Sequence, residues 1–237
     1  MTGMAYPDIS PIIFEIGPFA LRWYSMAYLI GILAGWWLAS SRAKKYSLPL
    51  NKQNLEDIAF YITIGIILGG RIGYILFYGG EHFFENPLEI FEIWHGGMSF
   101  HGGIIGVIIA LWLVSRKIKY PFLRVTDFVS PVGPIGIFLG RLANFANDEL
   151  WGRASNLPWA IRFPRGGYIP RHPSQIYEAL LEGVLMFIIL NIAWRSKFIR
   201  EKEGFISALF LLFYACFRAF LRTIPRTGLS NRISSFQ

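Results

Sequence analysis

Residues 57–78 read DIAFYITIGIILGGRIGYILFY, an apolar run whose only interior charge is Arg71. As a helix rising about 1.5 Å per residue, such a run spans the roughly 30 Å hydrocarbon core of a bilayer. Backbone groups facing lipid must be satisfied within the segment or within a closed barrel. A barrel strand would alternate apolar and polar residues over about ten positions, and this run does not alternate. Working outward, five further runs share its character, at 21–40, 98–115, 125–145, 176–194 and 204–221. The expected fold is therefore an all-α polytopic membrane protein, a bundle of six transmembrane helices. Composition agrees. Of 237 residues, 54% are hydrophobic, 17% aromatic and 16% charged, and mean hydropathy is +0.42. A soluble domain carries about 25% charged residues, so an ordinary water-soluble enzyme and a disordered chain are both excluded. The net charge of +8 then speaks for a membrane rather than a nucleic acid.

The loops set an orientation. Arg42, Lys44, Lys45 and Lys52 follow the first run, Arg116, Lys117, Lys119 and Arg124 the third, and Arg195, Lys197, Arg200 and Lys202 the fifth. The connection 79–97 carries Glu81, Glu85, Glu89 and Glu92 without a Lys or Arg, and the stretch before Ala20 has no basic residue. The positive-inside rule puts the basic loops in the cytoplasm and the N-terminus outside. No basic region precedes the first run and Pro11 and Pro18 interrupt its approach, so no cleavable leader is expected. Residues 1–221 read as a single transmembrane catalytic domain. Its outer connection, 146–175, is rich in Gly, Pro and Arg and reads as an ordered or gating loop.

Charged groups at bilayer depth are functional candidates. With this orientation Tyr24, His101 and Glu178 fall near the outer ends of their runs, and Arg71, Arg141 and Arg218 in outer halves; Asp127 falls near an inner end. Three arginines at one depth with few acids suggest a pocket for an anion, most simply the phosphate of a lipid headgroup, which a guanidinium grips with two parallel hydrogen bonds. His101 can exchange protons near neutral pH. Plainer readings stand beside these. Arg71 could join helices by pairing with Glu178 or Glu182, His101 could be a packed bundle histidine, and Tyr24 an interfacial anchor. Glycines four apart (65, 69 and 73; 102 and 106; 136 and 140) read as close helix contacts, and Pro131 and Pro134 as a break in the fourth run. Single Cys216 excludes an intrachain disulfide and reads as packing. No metal-ligand spacing and no P-loop is present, so no metal is expected.

Several strings carry a resemblance: RWYS at 22–25, GGRIGY at 69–74, GGMSFHGGIIG at 96–106, GRLANFANDELWGR at 140–153 and RHPSQIYE at 171–178. Over about 11–218 the chain resembles the prolipoprotein diacylglyceryl transferases of bacterial inner membranes. The resemblance implies transfer of the diacylglyceryl group of phosphatidylglycerol to the lipobox cysteine thiol of a preprolipoprotein, forming a thioether and releasing glycerol phosphate. This is the first step of lipoprotein maturation, and no cofactor is implied. The partners implied are phosphatidylglycerol, lipobox signal peptides and membrane lipids, with no nucleic acid, and a monomer is expected. By motif, Arg141 matches the phosphate-facing arginine, with Asn144, Glu149 and Gly152 in the same signature. His101 matches the residue that would deprotonate the thiol, and Tyr24, Tyr214 and Arg218 match further functional positions; Arg71 is taken as substrate-binding.

Two departures stand out. The family has Gly where Asp148 stands, and this acid could either weaken lipid binding or point into the outer loop. After Arg218 the family continues into a seventh span, whereas here the chain reads RAFLRTIPRTGLSNRISSFQ. Residues 222–237 are expected to be an atypical tail, as a reading-frame shift near 220–222 would produce. Two other functions fit the residues alone. An anion transporter or channel predicts polar groups strung along a path, and a non-catalytic scaffold predicts indifference to replacement of His101 or Arg141.

Overall fold

The described segments that the sequence marks as spans are mostly helical, and short strands not foreseen in it form within 4–22 and 161–171. The computed structural model describes residues 3–7, 9–16, 19–79 and 97–223. The acids of the 79–97 connection, His82, His95 and the tail arginines Arg226 and Arg232 lie outside these residues.

In chain order the elements are β1 (Met4–Ala5), β2 (Ile12–Ile16), β3 (Phe19–Arg22), α1 (Trp23–Lys45), α2 (Lys52–Tyr74), α3 (Phe100–Lys117), α4 (Phe122–Val129), α5 (Gly133–Ala146), β4 (Ile161–Arg162), β5 (Pro170–Arg171), α6 (Ser174–Arg195), α7 (Lys197–Arg200) and α8 (Phe205–Thr223). Helix α2 runs on as one π-helical turn, Ile75–Gly79. Among the described residues, Lys52–Tyr78, α3, α6 and α8 are long and apolar enough to cross a membrane, and α4 with α5 would add one broken span. α1 has the length, but its Trp, Tyr, Ser and Gly residues make it less apolar than these.

The helices fall into two compact units: residues up to Gly35 with those from Ser130 onward, and Trp36–Val129. In the second unit α2 and α3 meet through glycines. A Cβ on Gly65 would lie 2.6 Å from Gly106 O and 2.8 Å from Ala110 Cβ, and one on Gly73 2.6 Å from Gly102 Cα. With no side chain in the way, the backbones approach to van der Waals contact, the source of attraction between helices in lipid. Lys117 Nζ reaches Asp57 Oδ1 at 2.7 Å across the same pair. Arg42, counted above with the loop charges, is instead buried, and its Nη1 donates to Phe128 O (3.3 Å), one of the carbonyls left over where α4 ends.

In the first unit the opening half of α1 lies on α5, where a Cβ on Gly35 would sit 2.8 Å from Val132 Cγ1. The expected break falls at 130–132, before α5 starts with Pro134 in its first turn. The carbonyl it frees on Pro131 accepts from Asn191 Nδ2 of α6 (3.1 Å). At Gly136 and Gly140 nothing described lies within 4 Å of where a Cβ would stand, although a Cβ on Gly31 of α1 would touch Gly136 Cα at 3.8 Å. The intimate contact to α5 comes from Gly183 of α6, whose Cβ would meet Phe138 Cβ at 2.7 Å. α6 is wound in three parts: α-helical Ser174–Glu178, π-helical Ala179–Leu185 and α-helical Met186–Arg195.

Between α5 and α6 the chain folds on itself. β4 pairs with β1 in parallel and with β5 antiparallel, over a small core of Ala160 and Phe163, both fully buried. Tyr6 packs its ring 5.5 Å from those of Phe145 and Phe163 and donates its hydroxyl to Phe145 O (2.8 Å). These contacts fix the connection against the C-terminal end of α5.

Candidate active site

Helical spacing puts the site's residues in pairs on single faces: Arg141 with Asn144 on α5, Glu178 with Glu182 on α6, and Tyr214 with Arg218 on α8. Packing then brings the faces together. Glu178 is bidentate between two helices, its Oε2 2.8 Å from Arg141 Nε and its Oε1 2.8 Å from Arg218 Nη1. Glu182, one turn on, is fully buried and lies 3.8 Å from Arg141 Nη2 and 3.5 Å from Arg218 Nη1. Neither of its oxygens has a hydrogen-bond partner among the described residues. Two guanidinium charges thus face two carboxylates, and the pairing lowers the cost of burying each. Exposure is uneven, with Arg218 at 36% against 16% for Arg141, so the cluster opens at Arg218.

Beside it stands a polar triad. The Tyr24 hydroxyl donates to Glu149 Oε1, and Asn144 Nδ2 donates both to Tyr24 Oη and to Glu149 Oε1 (2.9 Å). Asn144 Oδ1 takes a long contact from Arg141 Nη1 (3.5 Å), which joins triad and cluster. Backbone contacts hold Glu149 in place. Its amide donates to Asn144 O (3.1 Å), and its carbonyl accepts from Gln175 Nε2 (2.5 Å). On either side of it Asp148 (φ 52°) and Leu150 (φ 55°) adopt left-handed conformations, a strain kept only where the surroundings enforce it.

Of the residues read from the sequence, Tyr24, Arg141, Asn144, Glu149 and Arg218 form one connected network. Tyr214 sits a turn before Arg218, its ring stacked on Phe210 at 6.2 Å. Gly152 lies against the entry to α6. Its amide donates to His172 O (2.9 Å), and a Cβ there would crowd Ser174 Oγ and come within 2.9 Å of His172 Cβ. Arg71 and His101 belong to the other unit. Arg71 is buried, with Nη1 3.3 Å from Gly97 O and its guanidinium carbon 6.0 Å from the Tyr74 ring centroid. His101 is exposed, in edge contact with Phe100, so it is not a packed bundle histidine.

One expectation changes. Glu178 and Glu182 pair with Arg141 and Arg218, so the anion pocket read as poor in acids has two acids at its centre. Of the two readings of Asp148 the second holds: it turns into the 146–175 connection, its Oδ2 accepting from Arg165 N (2.6 Å). Glu178 and Glu182 were visible as an i, i+4 acidic pair, but sequence spacing cannot say which cation on another helix they meet.

Fold and site together define a multi-pass membrane protein with an arginine–carboxylate cluster opening on one side. A family model for prolipoprotein diacylglyceryl transferase matches residues 11–232. The chain is similar to the phosphatidylglycerol–prolipoprotein diacylglyceryl transferase of Rickettsia felis, 50% identical over 215 residues, which cover 91% of this chain and 83% of the relative. To the enzyme of the same name from Rhodospirillum rubrum it is 49% identical over 217 residues, covering 91% and 79%, and to that from Pseudoalteromonas atlantica 51% over 216 residues, covering 91% and 75%. The chain belongs to the prolipoprotein diacylglyceryl transferase family and is an enzyme of the transferase class.

Proposed function

We propose that this chain transfers the diacylglyceryl group of phosphatidylglycerol to the cysteine thiol of a preprolipoprotein lipobox. The thiolate attacks the glyceryl carbon esterified to phosphate, a C–S bond forms, and the C–O bond to phosphate breaks. Glycerol phosphate leaves with the bonding pair, and the thiol proton passes to a base. So written, the reaction calls for no metal or soluble cofactor.

The observation that carries the reading is the convergence of Arg141 and Arg218, from separate helices, on one carboxylate at 2.8 Å each. A site that fixes two guanidinium groups around one two-oxygen anion suits a phosphate, whose negative charge grows as the C–O bond breaks. Tyr24, Asn144 and Glu149 orient Arg141 from behind. His101 is the proposed base, because an exposed imidazole can take the proton of a thiol whose ordinary pKa is about 8.5. Gly152, Tyr214 and Arg71 are assigned to lipid binding. The enzyme is placed in the bacterial inner membrane as a monomer, with the cluster toward the outer leaflet.

The test is a mass-shift assay on the purified chain with phosphatidylglycerol vesicles and a lipobox peptide. A single diacylglyceryl adduct on the peptide cysteine is expected, falling by at least a hundredfold in Arg141→Ala, the scale seen when a group that neutralises transition-state charge is removed. An adduct that survives Arg141→Ala undamaged would remove the phosphate role. No adduct from the unaltered chain would leave the family membership standing and mark this chain as inactive.

A further inference from the structure

If the proposed reaction holds, Glu178 stands where its substrate must go. Its two oxygens each contact a different guanidinium at 2.8 Å, the arrangement a phosphate would make with the same two side chains. With Arg141, Arg218, Glu178 and Glu182 ionised the cluster is neutral. A phosphodiester carries one negative charge, so its addition would leave an uncompensated charge at low dielectric, whereas its exchange for one carboxylate leaves the balance unchanged. The two glutamates are not equivalent candidates. Glu182 is fully buried and held only by longer contacts, whereas Glu178 retains 15% exposure. Glu178 is also the last residue before the helix widens into the π-helical Ala179–Leu185, a type of irregularity that recurs at functional sites.

We propose that Glu178 is a charge placeholder, whose carboxylate holds Arg141 and Arg218 apart in phosphate-binding geometry and is exchanged for the lipid phosphate when substrate binds. The exchange runs in both directions. Once the C–O bond has broken, the product is a phosphate monoester with a second ionisable oxygen, and the returning Glu178 carboxylate competes with it for the two arginines. Glu178 is thus a positioning residue that sets both lipid affinity and product release.

The experiment compares Glu178→Gln and Glu178→Asp with the unaltered full chain in nanodiscs, using glycerol phosphate as a competing ligand of the transfer reaction. Gln keeps the shape without the charge. Asp, one methylene shorter, reaches one guanidinium but not both. The placeholder predicts that both variants bind glycerol phosphate about tenfold tighter, with KM for phosphatidylglycerol falling and kcat falling with it as release slows. A carboxylate that merely staples helices predicts the reverse, inhibition and KM weakening together, and that result overturns the proposal, as does an unchanged inhibition constant. Arg141→Ala separates the two levels. If it weakens glycerol phosphate inhibition while the Glu178 variants do not strengthen it, the phosphate site stands and the placeholder falls. If it leaves inhibition unchanged, the phosphate lies elsewhere and both fall.

Discussion

At Asp148 a single backbone angle explains both what the residue does and why a glycine would fit there. Its φ of 52° costs most side chains about 1 kcal/mol, less for Asp, and Gly nothing. Asp148 adds an acceptor for Arg165 N, which Gly lacks. Asp148→Gly should therefore change stability by no more than about 1 kcal/mol, strain relieved against a hydrogen bond lost, whereas Asp148→Ala should cost about 1–2 kcal/mol more than Gly. Denaturant unfolding of the two variants in micelles checks the difference. His172 makes a pH prediction. It is 5% exposed, its Nδ1 lies 3.3 Å from Tyr177 Oη, and its Nε2 has no hydrogen-bond partner among the described residues. Burial pushes its pKa below the ordinary 6.5. As pH falls through about 6.5 the unfolded chain takes up the proton first, so stability present at pH 7.5 is lost toward the lower folded value. The unfolding midpoint should drop between pH 7.5 and 5.5, and His172→Gln should flatten that drop.

Among helices, identical glycine spacing has opposite meanings. A Cβ on Gly69 would fall 2.7 Å from Gly106 Cα, while one on Gly136 meets nothing described within 4 Å. Gly69→Ala should force α2 from α3 at a cost of about 1–3 kcal/mol, and Gly136→Ala should be neutral or stabilise by up to about 1 kcal/mol through helix propensity. Paired thermal melts decide it, and equal effects would show the seam is not what separates them. Here the reach of sequence reading is plain. The period of four is visible, because it belongs to one helix; the surface that meets it belongs to another. The same holds for Glu178 and Glu182, whose spacing is legible and whose partners are not. Helix direction and charge bias put Tyr24, Arg71, His101, Arg141, Glu178 and Arg218 at one expected depth; Tyr24, Arg141, Glu178 and Arg218 join one network, whereas Arg71 and His101 belong to the other unit. β1, β4 and β5 were invisible, since a two-residue strand has no period to detect.

For the molecule as a whole, the basic loops and the cluster make a vectorial prediction. Leu150 is 61% exposed in the connection before α6, and Lys44 is exposed at the basic end of α1. In a Cys216→Ser background, Leu150→Cys should react with an impermeant maleimide in intact spheroplasts and Lys44→Cys only after lysis. Labelling of both from outside would overturn the orientation. The π-helical Ala179–Leu185 has a consequence of another kind. A helix that holds a surplus residue in a widened turn ties its two ends to a count, not to a composition. Loss of one residue there, such as exposed Leu180, would let the widened turn close to an ordinary one and leave both ends in phase, whereas one further residue finds that slack already used and would rotate what precedes it by about 100° about the axis. Glu178 would then turn from both arginines although every charge in the chain remained, so the site can be dismantled by an insertion that an inventory of its polar residues would pass as silent.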